Sequence, residues 1–111
     1  MENHDAGCQR KLAAILSANV AGYSRLMGED EDGTLSTLPA HGGSMDAAIA
    51  RHGGRIVGEA GDSVLAEFPA AVAAVCCAIE IQEELHTLNA EQPPDRRMEF
   101  RIGINLGDVI V

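Results

Sequence analysis

The sequence has no tryptophan, one tyrosine and two phenylalanines among 111 residues. Its core is therefore expected to consist of Ala, Val, Ile and Leu, whose small side chains suit close packing of helices onto a sheet. No apolar run approaches the roughly 18 residues a membrane-spanning helix needs. Cysteine is scarce, and Cys8, Cys76 and Cys77 do not form a disulfide framework, because the count is odd and two are adjacent. Their use points to a reducing, cytoplasmic compartment, and no C-x-x-C or Cys/His spacing suggests zinc. Cations are few as well: eight Lys and Arg stand against 17 Asp and Glu, for a net charge of −9. With no basic stripe and no interleaved aromatics, nucleic acid and membrane surfaces are excluded as partners. Residues 1–9 are polar and lack the apolar segment of a signal peptide, so a disordered tail is expected there. The remainder, 10–111, is long enough for one domain.

Apolar patterning supplies the elements. Residues 12–20 form a run of small and branched side chains that predicts a buried strand, with Ala14, Leu16 and Ala18 on one face and Ile15, Ser17 and Asn19 on the other. Gly22 and Ser24 should end it. Residues 29–38 open with acidic side chains, as a helix start favours. Pro39 and the Gly42-Gly43 pair predict a break, after which Ser44 would cap a second short helix reaching Arg51 and Gly53 would stop it. Residues 55–57 and 63–68 read as the two strands of a hairpin. Residues 70–89 carry apolar side chains at 72, 75, 76, 79, 85 and 88, close to a helical stripe. From Met98 to Leu106 apolar residues alternate strictly with Glu99, Arg101, Gly103 and Asn105, a strand. Gly107-Asp108 then reads as a turn, with another strand beginning at 109–111. The order βαββαβ predicts an α+β, ferredoxin-like fold: an antiparallel sheet with helices on one face. Ile15, Ser17, Asn19, Arg101, Gly103 and Asn105 would line the open face, which in a small domain meets a partner.

The hairpin is the segment with chemistry. A strand, a glycine-flanked turn presenting the Asp62 carboxylate, and a return strand can hold a divalent cation against a phosphate. The same aspartate could equally bond its own turn backbone. Asn19 is a weak oxygen ligand or a polar strand end. Gly22 and Gly61 allow a backbone approach to phosphate or simply shape turns. His4, His41 and His52 match no zinc spacing and are expected in solvent. Arg101 is expected to pair with Glu99 or Glu67 across strands.

Several segments together resemble the class III adenylyl/guanylyl cyclase (cyclase homology) domain of bacterial type. They are 10–27 (RKLAAILSANVAGYSRLM), 50–57 (ARHGGRIV), the Gly61-Asp62 turn, and 100–111 (FRIGINLGDVIV). The resemblance covers 10–111 and implies the N-terminal portion of such a domain. That family converts ATP or GTP to a cyclic nucleotide in a head-to-tail dimer, with two aspartates holding two Mg2+ or Mn2+ ions that activate the ribose hydroxyl and neutralise the triphosphate. The first metal aspartate aligns with Asn19 and the second with Asp62. A base-recognising lysine aligns with Gly58. Gly22, Tyr23 and Gly61 fall in the nucleotide- and phosphate-binding segments. The remaining base contact, and the Asn and Arg that stabilise the transition state, would fall beyond Val111. The resemblance thus implies a cyclase homology domain that is inactive alone and acts as a dimerising or regulatory module. Its alternatives are a half-site active only with a partner chain, or a nucleotide or metal sensor. The expected partners are a second copy, in a head-to-tail or strand-swapped homodimer, or a full cyclase chain. Mg2+ or Mn2+ is expected only if binding is retained.

Overall fold

A computed structural model describes residues 10–110. In chain order the elements are β1 (Arg10–Val20), α1 (Tyr23–Glu29), α2 (Glu31–Arg51), β2 (Arg55–Ala60), β3 (Ser63–Phe68), α3 (Ala71–Ala90), a 3-10 turn (Pro94–Arg96) and β4 (Phe100–Ile110). All strand pairs are antiparallel, in the order β2-β3-β1-β4. This is the ferredoxin-like α+β arrangement, with α2 and α3 on one face. The tail expected over 1–9 lies outside the described residues.

The register sets the open face. Asn19 stands between Ser63 and Arg101, Ser17 between Leu65 and Gly103, and Ile15 between Glu67 and Asn105. The opposite face of β1 is buried: Leu16 and Ala18 are fully covered and Ala14 nearly so. The core is not built from small aliphatics alone. Phe68, Met45, Met98, Ile81 and Leu85 are among its largest buried side chains, and Phe100 packs with them. Both phenylalanines of an aromatic-poor chain thus serve the core.

The helical region differs from the expectation. The break falls at Asp30, not at Pro39: Asp30 leaves helical geometry (φ −156°, ψ 85°), and its side chain accepts from the Gly33 N–H at 3.0 Å to cap α2. α2 then runs unbroken through Pro39 to Arg51. A proline inside a helix costs about 3 kcal/mol. Burying Met45 and Ile49 offsets this, at about 1.5–3 kcal/mol for each large side chain. Ser44 caps nothing; its hydroxyl donates to Glu84 on α3 at 3.1 Å. Gly53 does take the left-handed conformation past the helix end (φ 74°).

Two further expectations are overturned. α3 buries Ala74, Cys77, Ile81, Leu85 and Asn89, whereas Val72, Val75, Cys76 and Ile79 of the anticipated stripe are exposed. Gly107-Asp108 is not a turn: β4 continues to Ile110, with Gly107 opposite Ala13 and Asp108 opposite Leu12. Eleven residues of β1 are available as a partner, and they carry the strand past the turn signal.

His41 is buried, not in solvent. Its Nε2 lies 3.0 Å from Asn89 Oδ1 and its ring stacks on Phe100. Asn89 in turn accepts from the Met98 N–H (2.9 Å) and donates to the Met98 carbonyl (2.8 Å). One amide thereby satisfies the backbone just before β4 and ties α2, α3 and β4 together.

Candidate functional site

The candidate residues gather at the end of the sheet where β1 meets α1 and β2 turns into β3. Asn19 is exposed one residue before the end of β1, directly opposite Ser63. The turn between β2 and β3 is only Gly61-Asp62. It is tied to β1 by the Val20 N–H, which donates to the Asp62 carbonyl at 2.9 Å. That bond fixes the Asp62 backbone beside Val20, one register position from Asn19. Gly22 adopts a left-handed conformation (φ 64°) and turns the chain from β1 into α1. This positive φ explains why glycine occupies the position.

Tyr23 follows at the start of α1, and its hydroxyl lies 3.6 Å from where a Cβ on Gly61 would stand. Gly22, Tyr23 and Gly61 are therefore brought together around one turn. Arg25, which drew no attention in the sequence, also belongs here. Its guanidinium lies 3.5 Å from the place of a Gly22 Cβ and is held by Glu29 at 3.2 Å. The i,i+4 Arg–Glu spacing just after the glycine was the available signal. Gly58 sits further along the open face at a bulge in the β2–β3 pairing, opposite Leu65.

Arg101 is on the open face beside Asn19, but it is not paired as anticipated. Glu67 is held by Arg55, whose Nε donates to it at 2.8 Å, and no carboxylate among the described residues forms an ion pair with Arg101. Asn19 directs its amide N–H along its own strand to Ser17 Oγ at 3.4 Å. Its carbonyl oxygen is the atom left for a ligand. Behind the turn, on the helix side, a hollow of about 380 Å³ is lined by Leu38, Met45 and Val64, with Asp46, Glu59 and Asp62 at its polar side.

The residues do not fit a pair of divalent cations. Hard cations of this kind take anionic oxygen donors, and the two positions offer one carboxylate and one amide. Among the described residues, no three His, Cys, Asp or Glu side chains stand together as a ligand group. Groups with displaced titration lie elsewhere, on the seam between α2 and α3. The hydrogen bond from Arg51 holds Glu80 below the usual carboxylate range, with His52 adding to it. Burial, followed by the Glu80 charge, pushes the Cys77 thiol up to about 11.

Comparison with known proteins bears on the family and the fold. No family model matches the chain. Over 104 residues it is 43% identical to "Putative adenylate cyclase 3" of Rhizobium meliloti (strain 1021), covering 93% of this chain and 18% of that protein. An adenylate/guanylate cyclase/hydrolase structure from Silicibacter pomeroyi shares 43% identity at a TM-score of 0.82, over 94% of this chain and 61% of that one. The structure of the guanylyl cyclase Cya2 shares 28% identity at a TM-score of 0.80, over 94% of this chain and 58% of that one. The chain thus spans about three fifths of these solved chains and about a fifth of the curated relative. No helix of the described residues is long and apolar enough to cross a membrane. In sequence and in fold, this chain belongs to the class III adenylyl/guanylyl cyclase homology domains.

Proposed function

We propose that this cyclase homology domain does not make cyclic nucleotide by itself and serves as a dimerising or regulatory module. Its pairing surface is the open sheet face. The observation that carries this reading is the donor chemistry at the end of β1 and the adjoining turn: where the resemblance expects two carboxylates, Asn19 supplies an amide and only Asp62 supplies a charge. Two unit charges 4 Å apart attract by about 4 kcal/mol at the effective dielectric of a protein surface. Against a dication the loss is roughly doubled before solvation offsets part of it. Gly58 adds a second deficit, because it offers no side chain to read a purine edge.

A second reading has support from the turn itself. Gly22, Tyr23, Gly61 and Asp62 remain assembled, so the chain could contribute a phosphate-facing half-site to a site completed by a metal-competent cyclase chain. Any Mg2+ or Mn2+ retained would then sit against Asp62. Binding of a nucleotide without turnover is the weaker form of the same idea.

Cyclic nucleotide production from ATP and from GTP with Mn2+ tests both readings. The chain alone is expected to give no product. Addition of a metal-competent class III chain is expected to change that chain's own rate if the module regulates it. Turnover that appears only in the mixture, and is lost with Asp62→Ala in this chain, would establish the half-site reading. Sustained product from the unaltered chain alone would refute the proposal.

A further inference from the structure

α2 is one continuous helix in geometry but two in its anchoring. Its buried residues are Thr34, His41, Met45, Ala48 and Ile49. From His41 onward every turn therefore places a side chain in the core, whereas residues 35–40 place none, over about one and a half turns. The parts on either side are tied to different elements. On the first, the Asp30 carboxylate accepts from the Gly33 N–H at 3.0 Å, and the Thr34 hydroxyl donates to the Leu26 carbonyl of α1 at 3.0 Å. On the second, Ser44 donates to Glu84 at 3.1 Å and Arg51 to Glu80 at 2.9 Å, both on α3.

The stretch between them gathers residues that weaken a helix. Pro39 has no N–H, so the Leu35 carbonyl lacks the bond a helix would give it. The Ser36 and Thr37 hydroxyls both donate to the Gly33 carbonyl, at 2.9 and 2.8 Å, and back-bonding of this kind bends a helix. Gly42 and Gly43 follow. Neither has a positive φ, and an added Cβ on either would meet nothing within 4 Å. Alanine would fit both positions and strengthen the helix; glycine keeps it weak. Among the described residues, one side-chain hydrogen bond ties 35–43 to another element: His41 Nε2 with Asn89 Oδ1 of α3, at 3.0 Å. Asn89 is itself held in place by the Met98 N–H and carbonyl.

We propose that residues 35–43 form a joint in α2, latched by the His41–Asn89 bond, at which the first part of the helix and α1 shift while the second part stays on the core. Helices kink at proline and glycine, where the ladder of hydrogen bonds is already interrupted. Local opening is drawn from segments with few buried contacts, and 35–40 is such a segment. The joint bears on the candidate site in two ways. α1 begins at Tyr23, after the left-handed Gly22, and the Tyr23 hydroxyl lies beside Gly61. Leu38 and Gly42 also wall the hollow behind the turn, together with Asp62, Ser63 and Val64. Bending here changes the space behind Asp62 and leaves Ala48 and Ile49 seated. The joint does not depend on what the open sheet face pairs with, so it goes beyond the function proposed above.

Amide hydrogen exchange, read residue by residue by NMR at several urea concentrations below unfolding, tests this. The amides of Ala40, His41, Gly42 and Gly43 are expected to exchange at least about ten-fold faster than those of Ala48 and Ile49. Their rates should respond little to urea, because opening the joint exposes little surface. Gly42→Ala and Gly43→Ala, where the added methyl has room, are each expected to slow exchange at 40–43 by about five-fold. His41→Phe keeps a ring over Phe100 and removes the bond to Asn89; it is expected to speed exchange there by about five-fold. Exchange at 40–43 that keeps step with Ile49 at every urea concentration overturns the joint. Rates there that neither glycine replacement slows overturn it as well, and rates that His41→Phe leaves unchanged overturn the latch.

Discussion

Ile79 and Ile81 lie two positions apart on α3 and meet opposite surroundings. Ile81 is 1% exposed and packs with Leu16, Leu85 and Phe100 in one cluster, whereas Ile79 is 56% exposed. Both flanks of the helix are apolar: Ala74, Cys77, Ile81 and Leu85 on one, Val72, Val75, Cys76 and Ile79 on the other. Apolar character therefore does not by itself say which flank meets the sheet. The polar anchors decide: Glu80 and Glu84 reach Arg51 on α2, and Gln82 and Asn89 reach the backbone at Phe100 and Met98.

The sharpest way to break that comparison is to shorten each isoleucine in turn. Ile81→Ala leaves a cavity in the core and is expected to destabilise the fold by about 2–5 kcal/mol. Ile79→Ala, measured by urea denaturation at a concentration low enough to keep the chain monomeric, should cost under about 1 kcal/mol. Equal losses would mean that the outer flank is buried in the isolated chain.

Two glycines of similar context provide the next contrast. A Cβ at Gly54 would lie 2.5 Å from Phe68 Cε2 and 2.8 Å from Ile49 Cγ2, while at Gly58 the nearest atom is Leu65 Cβ at 3.7 Å. Gly54→Ala forces two core side chains to move and is expected to cost about 1–3 kcal/mol. Gly58→Ala is expected to be neutral or to stabilise by up to about 1 kcal/mol, since it removes only unfolded-state freedom. Gly58→Lys should likewise fold, which makes the position usable for restoring a base contact. A melting temperature that falls further for Gly58→Ala than for Gly54→Ala would contradict this account.

The frame of the fold was legible because period-two alternation is unambiguous in Met98–Leu106 and turn chemistry brackets 55–68. That the end of β1 and the Gly61-Asp62 turn lie side by side was legible through the family resemblance. Its physical cause, the Val20-to-Asp62 backbone bond, was not, since it joins residues 42 positions apart. Local signals misled where long-range contacts outweighed them. Pro39 stays helical because α2 is pinned at both ends, by the Asp30 cap and by Met45 and Ile49 in the core. Gly107-Asp108 stays extended because β1 pairs with it. His41 is buried because Asn89, 48 positions away, supplies a partner for its ring.

A smaller effect is expected at the seam of α2 and α3. Glu80 titrates below the ordinary carboxylate range because Arg51 donates to it and His52 stands beside it. A carboxylate held down in the folded state contributes stability that is present above its unfolded pKa and is lost as pH falls through its folded value. Stability should therefore decline as acid is added from the ordinary carboxylate range downward, and Glu80→Gln should flatten that decline. Both side chains are accessible to solvent, so the change is modest and fades in high salt. An unchanged acid limb in Glu80→Gln would remove Glu80 from the explanation.

The smallest perturbation distinguishes the same two flanks atom by atom, because adjacent cysteines sit on either side of the divide. Cys76 is exposed and Cys77 buried. The Cys77 thiol is pushed up to about 11, by burial and then by the Glu80 charge. At pH 8 its thiolate is then on the order of a thousandth of the population, and the sulfur lies under the helix as well. Iodoacetamide at that pH is expected to modify Cys76 in the native chain and to reach Cys77 only after unfolding, with peptide mass spectrometry separating the two by site.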